Sequence, residues 1–319
     1  MGVADHIRQI RRATDRRGDI ANIALVAVQL VIHVYLLFAL PVLLTHSRWW
    51  AISLVFATVV PIPMWILAHE AVHGSLHRNR SVNDVLGRLL TTVCYAAPFE
   101  LLRIGHLLHH KDNAYGQVRV DPMRPRSRSW YANYYAALFL QPVAPLLASN
   151  LVALLPRRWA LPIARRLTGP ALIARATEPD VYSRIRVEGG ITLVIIVVSA
   201  ITWRTYPAGL ACIYVLRCAL ISFDDSVYHF QGPADPQHGY NLRVPRMLRW
   251  LFLGFNHHGV HHVNAGLRWR QLAVAFTNAG MHYDSGYFSV AFNQLRPMTP
   301  HFAAHQKWTS ESGNLRSQE

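Results

Sequence analysis

Long apolar stretches constrain the fold of this chain more than any other feature. Residues 20–45 are almost continuously apolar, and a helix of that length can cross the ~30 Å hydrocarbon core of a bilayer. Further apolar runs follow at 50–68, 187–203 and 206–223, the last two separated only by a short polar turn. We therefore predict an all-α integral membrane helical bundle with about four transmembrane helices.

Composition and charge support a membrane protein. The chain has 319 residues, of which 15% are charged, against ~25% in soluble domains. The net charge of +15 is interleaved with apolar runs, which favours a cytoplasmic membrane face over a nucleic-acid partner. Compactness and the preference for arginine suggest a bacterial inner membrane. We predict a single domain over 1–319 with cytosolic termini, a basic lead-in at 1–19 and a flexible tail at 300–319.

Two further apolar segments are predicted not to cross the membrane. Residues 85–102 are moderately apolar and lie among basic residues, so we expect one interfacial helix there. Residues 131–155 are interrupted by Pro142 and Pro145, and seven arginines follow between positions 157 and 186. Because basic segments stay on the cytoplasmic side, this segment is predicted to be interfacial or re-entrant.

Eight of the 18 histidines fall in three clusters. On a helix, positions i, i+3 and i+4 share one face, so each cluster can aim its imidazoles at one point. Imidazole suits zinc, iron, copper and nickel, and eight ligands exceed the four of a tetrahedral zinc. The pattern predicts two metals with open positions, in a histidine-rich cytosolic cap. The first cluster is His69 and His73, the second is His106, His109 and His110, and the third is His258, His261 and His262.

The first cluster also permits a different hypothesis. His69-Glu70-x-x-His73 matches the zinc metalloprotease motif, with two ligands on one helical face and a general base between them. The extended motif needs a third histidine at the position that Asn79 occupies. A protease would also leave the second and third clusters without a role. We therefore keep a membrane zinc protease only as a distant alternative.

The order and spacing of the three clusters, around apolar hairpins, resemble the membrane fatty acid desaturase superfamily, whose relatives include carotenoid ketolases, carotenoid hydroxylases and alkane hydroxylases. The resemblance covers about residues 20–275. His69 to Gly74 resembles the family's first histidine box, and Asp121-Pro122 resembles the acid that trails the second. The resemblance implies two irons held by histidines, O₂ as co-substrate and an external electron donor.

The resemblance also implies which residues bind the irons. A ninth histidine often precedes the last box, and His229 fits that place better than His238. Asp225 lies one helical turn before His229 and could orient it, while His77 and His257 extend complete boxes and are expected to support ligands or structure. The implied metal ligands are His69, His73, His106, His109, His110, His229, His258, His261 and His262.

The implied activity is removal of hydrogen from an unactivated C–H bond. The leading hypothesis is a fatty-acyl desaturase, and the alternative is a lipid or carotenoid hydroxylase or ketolase, because the boxes are the same for all of these. A metal transporter would place polar residues within its spans, whereas nearly all the histidines lie beyond the span ends. No haem motif or cysteine cluster occurs, so electrons are expected from a ferredoxin-like or cytochrome partner. The substrate is expected to be a lipid, either free in the membrane or bound to an acyl carrier.

Overall fold

The computed structural model describes residues 2–10, 16–112, 126–141, 143–167, 169–233 and 235–297. The predicted all-α fold is confirmed. In the described part of the chain, the β-structure comprises the two-residue strands β1 (Leu242–Arg243) and β2 (Ser285–Gly286), which pair in parallel, and an isolated bridge. The helices are α1 Val3–Gln9, α2 Arg16–Val34, α3 Leu40–His46, α4 Phe56–Val59, α5 Pro61–Val72, α6 Arg80–Leu89, α7 Phe99–His109, α8 Arg128–Leu140, α9 Val143–Leu154, α10 Arg157–Leu167, α11 Pro170–Ala176, α12 Pro179–Thr202, α13 Pro207–Val227, α14 Arg249–Phe252, α15 His258–Val263, α16 Trp269–Asn278 and α17 Tyr287–Leu295.

The chain divides into two compact units. The first, which we call the span unit, comprises residues 15–108 and 136–222. The second, which we call the C-terminal unit, comprises residues 1–14, 109–135 and 223–319.

Two continuous helices of the span unit are long and apolar enough to cross a bilayer. The first runs from Arg16 to His46, with a mean hydropathy of 2.5 over an 18-residue stretch, and includes a π-helical segment at Tyr35–Ala39. That segment lies just before Pro41, whose missing N–H interrupts the regular hydrogen-bond ladder. The second is α12, with a mean hydropathy of 1.9 over a stretch of the same length. These helices cover the predicted spans 20–45 and 187–203, and α13 covers the predicted run 206–223.

Two bent helix pairs bring the number of candidate spans to as many as four. The pair Arg48–Val59 and Pro61–Val72 is bent by 41°, where the prolines of the second predicted run begin. The pair Arg80–Tyr95 and Phe99–His109 is bent by 99°. The prediction of one interfacial helix over 85–102 is therefore wrong. Ala96 adopts a left-handed conformation with φ 65°, and the residue before Pro98 is disfavoured in a helix.

The segment 131–155 consists of two short helices. Helix α8 has 13 residues and α9 has 12, whereas a span needs about 20. Helix α8 ends at Leu140 and α9 begins at Val143. Helix α9 packs along α12 within the span unit, and its Asn150 donates a hydrogen bond to the carbonyl oxygen of Ala96 at 2.9 Å.

Trp203 organises one apolar core of the span unit. Its indole is buried between α12 and α13, and its Nε1 donates to the carbonyl oxygen of Leu36 at 3.2 Å. A Cβ on Gly209 would lie 2.2 Å from the indole, so only glycine permits this close approach. The surrounding buried side chains include Leu36, Leu37, Leu40, Leu44, Ala57 and Ile213.

An ion network that the sequence did not predict connects α6, α7 and α12. Arg88 donates to Glu188 at 2.8 Å and to Glu100 at 3.1 Å. Arg184 approaches the same Glu100 carboxylate at 3.1 Å. Glu188 and Glu100 are buried, and such charges persist in an interior only when they are paired and hydrogen-bonded. The network therefore fixes the relative positions of these three helices.

In the C-terminal unit, the N-terminal helix supports the third histidine cluster. Ile7 on α1 is fully buried in a core that includes Val260 and Leu272. Asn264, at the end of α15, donates to the carbonyl oxygens of Ile7 and Ile10 at 3.0 and 3.1 Å. Part of the predicted lead-in is thus a packed element of this unit. Residues 11–15, Asp121, Pro122 and the predicted tail at 300–319 lie outside the described residues.

Candidate metal centre

In the span unit, the first cluster meets the first histidine of the second. His69 lies in the last turn of α5, which is buried along its whole length, and His73 is the residue that ends it. The ring centroid of His106, on α7, lies 4.4 Å from that of His69 and 5.0 Å from that of His73. We call these three residues the trio. Trp65 packs edge-on against His69 and His106, which gives the trio an aromatic wall.

In the C-terminal unit, four histidines from three segments converge through their Nε2 atoms. His229 Nε2 lies 2.9 Å from His258 Nε2 and 3.1 Å from His109 Nε2. His258 Nε2 lies 3.1 Å from His262 Nε2. One ligand atom from each of the four lies within 4.8 Å of the others. We call these residues the quartet. His109 ends α7, His229 follows α13, and the other two are on α15.

The same unit pairs one histidine from the second cluster with one from the third. His110 Nε2 lies 3.1 Å from His261 Nε2. The expectation that each cluster aims at a single point is therefore wrong for the second and third clusters. Neighbouring residues on a helix are about 100° apart, so the i+3 and i+4 histidines of α15 diverge.

The quartet fits a metal ion better than it fits a hydrogen-bonded histidine cluster. A neutral Nε2 atom carries either one proton or one lone pair. His258 Nε2 has two Nε2 neighbours, and His229 Nε2 also has two. One proton per atom cannot satisfy this chain of three contacts with linear hydrogen bonds. Four lone pairs directed at one cation would satisfy it, and imidazole is a common ligand of iron and zinc.

Burial keeps His229, His258 and His262 in the neutral form that binds metals. Burial is the main cause that lowers the pKa of His229 and of His258 well below the usual value, and neighbouring imidazoles add to the effect. Burial lowers the pKa of His262 to about 3. The Nδ1 atom of His262 donates to the carbonyl oxygen of Pro236 at 2.9 Å. This bond fixes the tautomer and leaves the Nε2 lone pair for the metal.

Three further histidines lie outside these groups: His77 and His257, which were predicted to support ligands or structure, and His238, the weaker candidate for the ninth ligand. His77 lies 3.9 Å from Asp19. His257 donates from Nδ1 to the carbonyl oxygen of Gly254 and contacts the Tyr283 hydroxyl through Nε2. His238 stacks edge-on against Tyr240. Among the described residues, the groups that could hold a metal ion include none of these three histidines.

Asp225 lies on the last turn of α13, but His229 lies beyond the end of that helix. The role of Asp225 in orienting His229 stays a prediction. The neighbouring Asp224 instead accepts a hydrogen bond from the Tyr287 hydroxyl at 2.8 Å. Tyr228, which precedes His229, packs against His258 with ring centroids 5.0 Å apart.

Sequence analysis did not identify Gly239 as part of the site. A Cβ at this position would lie 2.9 Å from Cδ2 of His258 and 3.1 Å from Cδ2 of His262. The backbone at Gly239 therefore touches two members of the quartet. No local pattern marks this glycine, because the contact joins a loop to a helix about 20 residues later in the chain.

Comparisons with known proteins agree with this geometry. A segment of the chain is 31% identical over 135 residues to zeaxanthin 4-ketolase from Chlamydomonas reinhardtii. The match covers 37% of this chain and 30% of that protein, so the chain spans less than a third of its relative's length. Residues 47–287 match the sequence profile of the fatty acid desaturase family. The matched region includes all three histidine clusters and His229, and the chain belongs to the fatty acid desaturase family.

Proposed function

We propose that this protein is a membrane di-iron oxidoreductase that uses O₂ to oxidise a C–H bond in a long apolar lipid. The observation that carries the proposal is the quartet, in which three buried imidazoles and the half-buried imidazole of His109 present Nε2 atoms within 4.8 Å of one another. The site contains histidines and no thiolate, which suits iron. Membership of the fatty acid desaturase family supports iron over the zinc of a protease.

The quartet would hold one iron. In the span unit the trio offers three more imidazoles, and in the C-terminal unit His110 and His261 offer two, so histidines outside the quartet remain for a second iron. When bound, iron and O₂ supply the oxidising power for C–H cleavage that no side chain has. The protein's own residues hold the neutral imidazoles, fix the tautomer of His262 and surround the ligands with buried aromatic side chains.

Fatty-acyl desaturation is the first candidate reaction. It follows the name of the family to which the chain belongs. The substrate would be a lipid acyl chain, free in the membrane or attached to a carrier, and the product would lack two hydrogens. Electrons would come from a separate ferredoxin-like or cytochrome donor, because the cysteines Cys94, Cys212 and Cys218 form no cluster that could hold a redox group.

Ketolation of a carotenoid ring is a second candidate, and a specific observation favours it. The relative that is 31% identical over 135 residues carries the name zeaxanthin 4-ketolase. Ketolation replaces a CH₂ group by a carbonyl and needs the same histidine ligands. The matched segment covers under half of either protein, so a carotenoid substrate is a proposal for this chain.

Mass analysis of lipids separates the candidates. The full chain should be expressed with a reductase and ferredoxin in two hosts, one with only ordinary acyl lipids and one that also makes carotenoids. A loss of two hydrogens in acyl chains supports desaturation, and a gain of one oxygen with loss of two hydrogens in carotenoids supports ketolation. His261→Ala should abolish either product, whereas His46→Ala, which changes an exposed histidine at the end of α3, should not. Full activity and full iron content in His261→Ala would contradict the ligand assignment.

A further inference from the structure

The C-terminal unit carries an apolar surface on a helix where a polar face is expected. Helix α17 buries Tyr287, Val290, Ala291 and Gln294. Its outward positions Phe288, Phe292 and Leu295 follow the spacing i, i+4, i+7 of a single helical face. The outward face of a helix on a globular unit is normally polar.

A second exposed apolar segment lies beside it. Residues 246–252 form a short 3₁₀ turn and α14, and Met247 and Trp250 in this segment are exposed. Strands β1 and β2, which precede the two segments, pair with each other. Phe252 packs against Tyr287 with ring centroids 4.8 Å apart. The two segments are therefore neighbours, and their five outward side chains are 43–79% exposed.

Basic residues surround this surface. The segments 243–252 and 285–297 contain four arginines and no acidic residue. Arg243, Arg246 and Arg249 recur every three residues and are exposed, and Arg296 lies over the Phe292 ring at 4.1 Å. Large apolar side chains flanked by arginines are the composition of segments that lie in the plane of a membrane interface.

We propose that this surface, formed by 243–252 and α17, lies in the headgroup region of a bilayer leaflet that contains anionic lipids. The phenyl, indole and thioether groups would enter the boundary of the acyl chains, and the guanidinium groups would meet lipid phosphates. An acidic soluble protein could pair with the arginines, but its acidic groups would not bury the large apolar side chains.

Fluorescence quenching on the full chain in lipid vesicles tests this proposal. Cys212, the exposed cysteine, is changed to serine, and an environment-sensitive fluorophore is placed on Trp250→Cys or Phe292→Cys. The control is Val274→Cys, because Val274 is an exposed apolar residue of the same unit on α16, among small and polar neighbours. The vesicles contain phosphatidylcholine and phosphatidylglycerol, and the quenchers are a lipid with a nitroxide near its headgroup and aqueous iodide.

The expected result is a loss of emission with the nitroxide lipid at 250 and 292, little effect of iodide there, and the reverse at 274. Iodide quenching at 250 and 292 equal to that at 274 would overturn the proposal. Protection from both quenchers would also overturn it, because a second copy, another protein or residues 298–319 would then cover the surface. Met247→Cys and Phe288→Cys repeat the measurement at independent sites if one variant fails to fold.

A second measurement tests the arginines. Arg246→Gln combined with Arg249→Gln should reduce lipid quenching at 292, and replacing phosphatidylglycerol by phosphatidylcholine should do the same to the parent chain. Unchanged quenching in both cases would show that anionic headgroups are not recognised and would overturn that part of the proposal.

Discussion

Gly239→Ala tests whether the geometry of the quartet controls metal binding without removing any ligand. Gly239 has no left-handed backbone requirement, so alanine can adopt its conformation. The difficulty is space, because the added Cβ would lie 2.9 Å from Cδ2 of His258, 3.1 Å from the His258 carbonyl oxygen and 3.1 Å from Cδ2 of His262. Both imidazoles are buried and have little room to move.

The size of the effect follows from these distances. An ordinary contact begins at 3.4 Å, so the His258 ring must retreat by about 0.5 Å and the His262 ring by about 0.3 Å. Overpacking of this kind costs about 1–3 kcal/mol of stability. A misplacement of about 1 Å at a catalytic site can reduce the rate about 100-fold. We therefore expect about a tenfold loss of turnover, together with reduced iron content.

The assay combines iron per chain by elemental analysis, thermal unfolding in detergent and product formation by mass analysis. Gly286→Ala is the matched control, because Gly286 lies in the same unit and a Cβ there meets nothing within 4 Å. Wild-type iron content, stability and turnover in Gly239→Ala would refute the packing argument. A loss of all three in Gly286→Ala would show that the assay reports general fragility of the unit.

Three further predictions follow from the described contacts. His229→Ala should lose iron, whereas His238→Gln, outside the quartet, should retain it; equal retention by elemental analysis would contradict the choice between them. Burial lowers the pKa of His238 to about 4, so the free energy of unfolding should fall as pH drops from about 6.5 to 4, by on the order of 3 kcal/mol from this group. Urea titrations of His238→Gln should show a smaller pH dependence than those of the parent chain. Glu188→Gln should lower the free energy of unfolding by about 2 kcal/mol, which is less than the ~3–5 kcal/mol of a fully buried pair because the Arg88 partner is 33% exposed. As a control, Glu178→Gln, which removes one partner of an exposed ion pair, should change thermal unfolding little.

Local patterns in the sequence were sufficient for the long apolar helices and for finding the three histidine clusters, and the family resemblance added His229. Apolar length depends on consecutive residues, and the run 20–45 falls within one continuous helix from Arg16 to His46. Histidine spacing is also local, and the clusters occur at helix positions or helix ends. His229 was located by its place before the third cluster, and the structure puts it in the quartet.

Contacts between distant residues could not be predicted in the same way. The ion pairs of Arg88 join residues 12 and 100 positions apart, and nothing near Arg88 in the sequence shows which acid it meets. The bend after Tyr95 depends on a left-handed alanine, a conformation that alanine rarely adopts. Pro98 is a local signal for the same break.

The spacing of the histidines within a cluster determines which group each of them joins. In the third cluster, His258 and His262 are four residues apart and both join the quartet, while His261 turns toward His110. A helix that carries His-x-x-His-His can therefore supply ligands in two directions, since its third and fourth positions diverge by about 100°. The first cluster has only His69 and His73, and both belong to the trio. The second and third clusters therefore each contribute to more than one group of histidines.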